Sequence, residues 1–291
     1  MSDAISTPAW DALISPADWA VCHAVIKAMR HAGIDFLLGG AFGMALYTGK
    51  FRRPTDLDLF VLPSQVPHAI EALSAAGFID DYFAKPYERS WRHRWTRGAF
   101  AIDLIFGLAN GRAVVDLLWF AQAREITLHG ERLKIAPPEE MIWKRLYVLQ
   151  RDHCEWPDIV NLLCAVGATM DWNHLCNRVG DDLPLLRAVL NLNDWVCPQG
   201  AGQIPSTVRD RLRLPPRAPS SEAGLHEQRV QLLDSRKWFA AFSRRNASVT
   251  ADSRPKSGGI KQQLVGITRF IFGQRIQRAL ENAEGVGGSF A

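Results

Sequence analysis

The chain has 291 residues, 47% hydrophobic and 22% charged, a balance that excludes a low-complexity or collagen-like polymer and is typical of a folded globular protein. No apolar run is long enough to cross a bilayer, so no transmembrane segment is expected; Met1 to Trp10 lacks the pattern of a secretory leader, so a cytoplasmic location is expected. The net charge of +4 hides an asymmetry, because residues 203–278 carry 15 Lys and Arg against 5 Asp and Glu. A stretch this basic suits an anionic partner, nucleic acid or the acidic face of a protein, and equally a solvated tail.

In chain order, Ser15-Pro16 reads as an N-cap and first helical position, and Trp19, Cys22, Val25, Ile26 and Met29 continue a helix that ends before Gly33. Phe36-Leu37-Leu38 is a short strand closed by Gly39-Gly40, and Ala41 to Tyr47 is a helix. A strand over Leu57 to Leu62 and a helix over Ser64 to Ala76 follow. Two more strands are expected at Trp91–Thr96 and Phe100–Phe106, then a tight turn at Asn110-Gly111. In Trp91-Arg92-His93-Arg94-Trp95 the alternation puts the tryptophans on a buried face, although aromatics interleaved with basic groups also line single-stranded nucleic-acid grooves.

A helical segment at Val115–Ala121 and a hairpin about His129-Gly130 complete this α/β part, residues 1–136. From Pro137 the pattern is helical: Pro137 to about Arg151, Trp156–Val166, Asp171–Val179 and Asp182–Trp195. Residues 137–200 therefore form a helical half, and 201–291 a basic, partly disordered tail with helical islands at Glu222–Phe242 and Ile260–Glu284. The second island contains a basic amphipathic helix that would dock on its own protein, a partner or a membrane surface. The five cysteines include no C-x-x-C pair and read as free thiols.

The chemistry centres on Asp56-Leu57-Asp58. Residues i and i+2 of a strand share a face, so both carboxylates project together from apolar surroundings. Such a pair repels and loses hydration unless a cation or hydrogen bonds compensate. Asp103, the single charge in Ala101-Ile102-Asp103-Leu104-Ile105-Phe106, poses the same question. Three aspartates suit Mg²⁺, with Mn²⁺ as the alternative, since hard cations take oxygen ligands and keep sites for substrate phosphates. Gly39-Gly40 before a helix is a tight turn, and also a place where backbone can approach a phosphate.

Gly39-Gly40, a short helix, Arg52-Arg53-Pro54-Thr55-Asp56-Leu57-Asp58-Leu59 and Ile102-Asp103-Leu104 resemble the nucleotidyltransferase superfamily, the DNA polymerase β-like fold. Pro138 to Leu163 and Met170 to Leu175 resemble the helical half of its small bacterial members, minimal and toxin-type, so the likeness spans roughly residues 17–200. The resemblance implies an α+β fold with a mixed sheet flanked by helices, followed by the helical half. It implies that Asp56, Asp58 and Asp103 hold divalent metal, with Asp103 also helping to activate the acceptor. Gly39, Gly40 and Lys144 would contact a nucleoside triphosphate, and Arg52 and Thr55 would steady phosphate or carboxylates or serve only as turn residues. Transfer of a nucleoside monophosphate to a protein, an RNA end or a small molecule is the implied activity. A non-catalytic protein retaining the fold and the toxin of a toxin–antitoxin pair are the alternatives. In relatives a histidine or another polar residue often stands where Asn161 is, which leaves the roles of Arg151, Asp158 and Asn161 open, with a structural ion pair the expected use.

Overall fold

The computed structural model describes residues 7–81, 86–151, 153–197, 204–216 and 229; the two helical islands expected in the tail lie outside them, Arg229 apart. The elements in order are α1 (Pro16–His31), β1 (Leu37–Leu38), α2 (Gly40–Thr48), β2 (Asp56–Phe60), α3 (Val66–Ala75), β3 (Ile79–Asp80), β4 (Arg92–Arg97), β5 (Phe100–Ile105), α4 (Leu117–Ala121), β6 (Arg124–Leu128), β7 (Glu131–Ile135), α5 (Pro138–Leu146), α6 (Trp156–Val166), α7 (Trp172–Val179), α8 (Leu183–Val196) and α9 (Ser206–Arg211). The fold is α+β, with a mixed sheet ordered β3-β4-β5-β2-β1-β7-β6.

Local chemistry sets most boundaries. The Ser15 side chain accepts a hydrogen bond from the Asp18 backbone N–H at 3.1 Å, capping α1 ahead of Pro16. Asp116 caps α4 and Asp171 caps α7 in the same way. α2 begins straight after the Gly39 turn and ends at Gly49, whose φ of +67° is the left-handed C-terminal stop.

The sheet interior is apolar because β2 and β5 pair in parallel at its middle and Leu57, Leu59, Phe60, Ile102 and Leu104 are buried. Phe60 packs on Trp119 with ring centroids 4.7 Å apart, and Trp119 on Trp143 at 6.4 Å, which joins the sheet to α4 and α5. A Cβ on Gly43 would lie 2.6 Å from the Met141 sulfur, so α2 approaches α5 closely through this glycine. α6 packs on α2 as well as on α5, so the helical segment lies against a helix of the sheet part.

Some boundaries differ from expectation. The helix expected to reach Arg151 stops at Leu146, because the chain turns at Val148 and returns as a small bridged loop: Glu155 N–H donates to the Val148 carbonyl at 3.2 Å, and Leu149 bridges Cys154. Pro157 falls in the first turn of α6, where its missing N–H costs nothing. The short strand β3 and the helix α9 had no sequence counterpart. The five cysteines are free.

Candidate active site

The site is built on three neighbouring strands. In the parallel register of β2 and β5, Asp58 stands opposite Asp103 and Asp56 opposite Ala101. In the antiparallel register of β4 and β5, Arg94 stands opposite Asp103. Strand alternation therefore puts Asp56, Asp58, Asp103, Arg92 and Arg94 on one face, while Trp95 is buried on the other. All five charged residues line a single cleft of about 440 Å³ together with Gly40, Arg52, Lys144, Glu155 and Asp158.

The glycine turn comes up against the acids from below. Gly39 N–H donates to the Asp58 carbonyl at 3.0 Å. Gly40 has φ +48°, and a Cβ there would lie 2.5 Å from Asp58 Oδ2, so only glycine admits both the backbone turn and the carboxylate. At Gly39 a Cβ would strike the Phe60 ring at 2.2 Å.

Asp103 is almost fully buried, and Arg92 Nη1 donates to its Oδ2 at 2.6 Å. Arg94 Nη1 reaches the same oxygen at 3.5 Å, and Arg94 Nη2 lies 3.8 Å from Asp56 Oδ2. Asp103 Oδ1 is buried without a hydrogen-bond partner. Burial, and next the charge of Asp58, push the Asp103 carboxyl up to about 7 despite Arg92 and Arg94. The same two causes raise Asp56, against the pull of Arg94, Arg52 and Lys144.

The opposite wall comes from α5 and the start of α6. Lys144, almost fully buried, donates to both Glu155 oxygens at 3.3 Å, and Arg145 Nε lies 3.4 Å from Glu155 and 3.7 Å from Asp158. Burial alone would raise the Glu155 carboxyl, but Lys144, His153 and Arg145 outweigh it and hold the group well below the usual carboxylate range. Asn161 turns inward on its own helix, donating to the Pro157 carbonyl at 3.3 Å.

Of the residues singled out from sequence, Asp56, Asp58, Asp103, Gly40, Arg52 and Lys144 meet at the cleft. Gly39 lies behind it as the N-cap of α2, and Thr55 is exposed and outside the lining, its carbonyl accepting from Ala101 N–H at 3.3 Å. Sequence reading missed Arg92, Arg94 and Glu155. The alternation of β4 already put both arginines on one face, but only the strand register shows that this face carries Asp103. Among the described residues no three His, Cys, Asp or Glu side chains stand grouped as a ready metal cage. The donor set still fits a hard divalent cation: three carboxylates share a face, two of them raised by burial and mutual repulsion, and one buried oxygen lacks a partner.

A family model described as an uncharacterised nucleotidyltransferase matches residues 20–192. No curated protein matches the chain. Among solved structures, the lincosamide antibiotic adenylyltransferase LnuA, lincomycin-bound, is 17% identical over 51% of this chain and 96% of its own, with a TM-score of 0.36. ANT(2")-Ia in complex with adenylyl-2"-tobramycin is 12% identical over 67% of this chain and 95% of its own, at 0.35. JHP933 from Helicobacter pylori is 14% identical over 80% of this chain and 100% of its own, at 0.33.

Proposed function

The chain belongs to this nucleotidyltransferase family, and we propose that it moves a nucleoside monophosphate from a nucleoside triphosphate to an acceptor hydroxyl or amine, using a divalent cation held by Asp56, Asp58 and Asp103. The observation that carries the reading is the facing of Asp58 and Asp103 across β2 and β5, with Asp56 beside them and Gly40 against Asp58. A bound Mg²⁺ would supply Lewis-acid polarisation of the phosphoryl oxygens and offset charge on the departing pyrophosphate.

The chain's own residues do the rest. Gly40, at the start of α2, offers backbone without a side chain where phosphate would approach the helix N-terminus. Lys144, on the opposite wall, supplies positive charge to the triphosphate. An oxygen of the Asp103 carboxylate, which lines the cleft, receives the acceptor's proton. The acceptor oxygen or nitrogen forms a bond to the α-phosphorus, the bond from that phosphorus to the bridging oxygen breaks, and pyrophosphate leaves.

The test is incubation of the full chain with each α-³²P-labelled nucleoside triphosphate, Mg²⁺ and a cell extract, beside the Asp56→Ala/Asp58→Ala variant. Label on a defined species, lost in the double variant and on chelation, supports the reading and reveals the acceptor class. Equal labelling by both proteins defeats it.

A further inference from the structure

The two arginines of β4 that face the acids are not equivalent. Arg92 is 12% exposed at its side chain and bonds two buried carboxylates, Asp103 at 2.6 Å and Glu88. That arrangement is a fixed counter-charge: removing Arg92 would take a closely bonded cation from two buried acids. Arg94 is 28% exposed and spans Asp103 and Asp56 at 3.5 and 3.8 Å, the long end of ion pairing. It lines the same cleft as Gly40 and Lys144.

A divalent cation among the three aspartates and a guanidinium lying across two of them repel one another, and the more loosely held and more exposed charge gives way. The planar fork of a guanidinium matches two oxygens of a phosphate better than two carboxylates on different strands. We propose that Arg94 is an exchanging residue: it neutralises Asp56 and Asp103 until a divalent cation binds them, and then carries its guanidinium to the phosphates of the nucleoside triphosphate. The proposal rests on reading the site as a nucleotidyl-transfer centre. It gives the cleft an order of loading, cation before nucleotide, and makes Arg94 a substrate-binding residue distinct from the structural Arg92.

Calorimetric titration of the full chain tests it, first with Mn²⁺ alone and then with ATP, CTP, GTP and UTP in turn at saturating Mn²⁺. Arg94→Met should bind Mn²⁺ about two- to five-fold more tightly, the size of a partly exposed ion pair removed from competition. The same variant should bind the preferred nucleotide at least about ten-fold more weakly, as expected for a lost charged hydrogen bond. Arg94→Lys should keep wild-type Mn²⁺ affinity and recover part of the nucleotide affinity. Arg94→Gln carries the expectations of Arg94→Met should the latter fail to fold. Unchanged or weaker Mn²⁺ binding, or unchanged nucleotide binding, in the neutral variant overturns the exchange while leaving the transfer reading intact. A wild type that binds none of the four nucleotides overturns the transfer reading, and the exchange with it.

Discussion

Asp58 on β2 and Asp103 on β5 stand opposite one another in a parallel register, so two carboxylates remote in the chain face one cleft from adjacent strands. Parallel strands bring such residues together only through the intervening helix and hairpin, so this pairing is a product of the whole fold. Their mutual repulsion adds to burial in raising the Asp103 carboxyl.

The glycine turn beneath Asp58 gives a first prediction. Gly40→Ala places a Cβ 2.5 Å from Asp58 Oδ2 at a φ of +48°, so it should lower stability by about 1–2 kcal/mol and also displace the carboxylate, reducing label transfer. Gly49→Ala is the control: its φ is +67° but nothing lies within 4 Å of the added atom, so it should show the stability loss alone. Denaturant unfolding and the labelled-nucleotide assay separate the two effects.

The helical segment is tied to the sheet domain through Arg178. Its guanidinium grips Asp116 with two bonds of 2.7 Å and donates through Nε to fully buried Glu140 at 2.9 Å, where His174 also bonds at 2.8 Å. Arg178→Met should cost about 3–5 kcal/mol, because it leaves Glu140 short of its counter-charge in the interior. Glu140→Gln in the same background should recover part of that loss, seen as a shift in the urea midpoint.

The same cluster fixes two pH slopes of opposite sign. Hydrogen bonding to Arg178 holds the Asp116 carboxyl below its ordinary 3.8, so its contribution is fully present above that value and lost as pH falls through the lower folded-state value. Burial pushes the Glu140 carboxyl above 4.5 despite His174 and Arg178, so ionising it costs stability as pH rises through that region. Urea midpoints from about pH 3 to pH 6 should lose the first slope in Asp116→Asn and the second in Glu140→Gln.

On the far wall, Lys144→Met should weaken nucleotide binding about ten- to a hundred-fold, the range of a charged hydrogen bond. Glu155→Gln should reproduce part of this loss, because Glu155 orients Lys144 through both of its oxygens. Calorimetric nucleotide titration measures both, and equal affinities in wild type and Lys144→Met would contradict the role of the lysine.

The grouping of the three aspartates and Gly40 at one cleft was legible in the sequence because each signal was local. A charge inside an apolar strand marks Asp56, Asp58 and Asp103, and a glycine pair before a helix marks the turn below them. What was not legible depends on pairing between distant segments. The alternation of Arg92 and Arg94 was visible, but their common face with Asp103 follows from the β4–β5 register, which no local pattern states. Glu155, just before α6, carries no local signal in the sequence, and its hold on Lys144 follows from the chain returning after Leu146. The expected helix to Arg151 failed for that same reason: local helix propensity was overridden by a loop tied back through backbone and ion-pair contacts.

The most direct measurement is the anomalous scattering of Mn²⁺ in crystals of the full chain. A peak bounded by carboxylate oxygens of Asp56 and Asp58, with Asp103 drawn toward it and Arg94 moved away, is the result predicted. Saturating Mn²⁺ with no peak at these three aspartates, and Asp103 still bonded to Arg92 and Arg94 alone, would contradict the account.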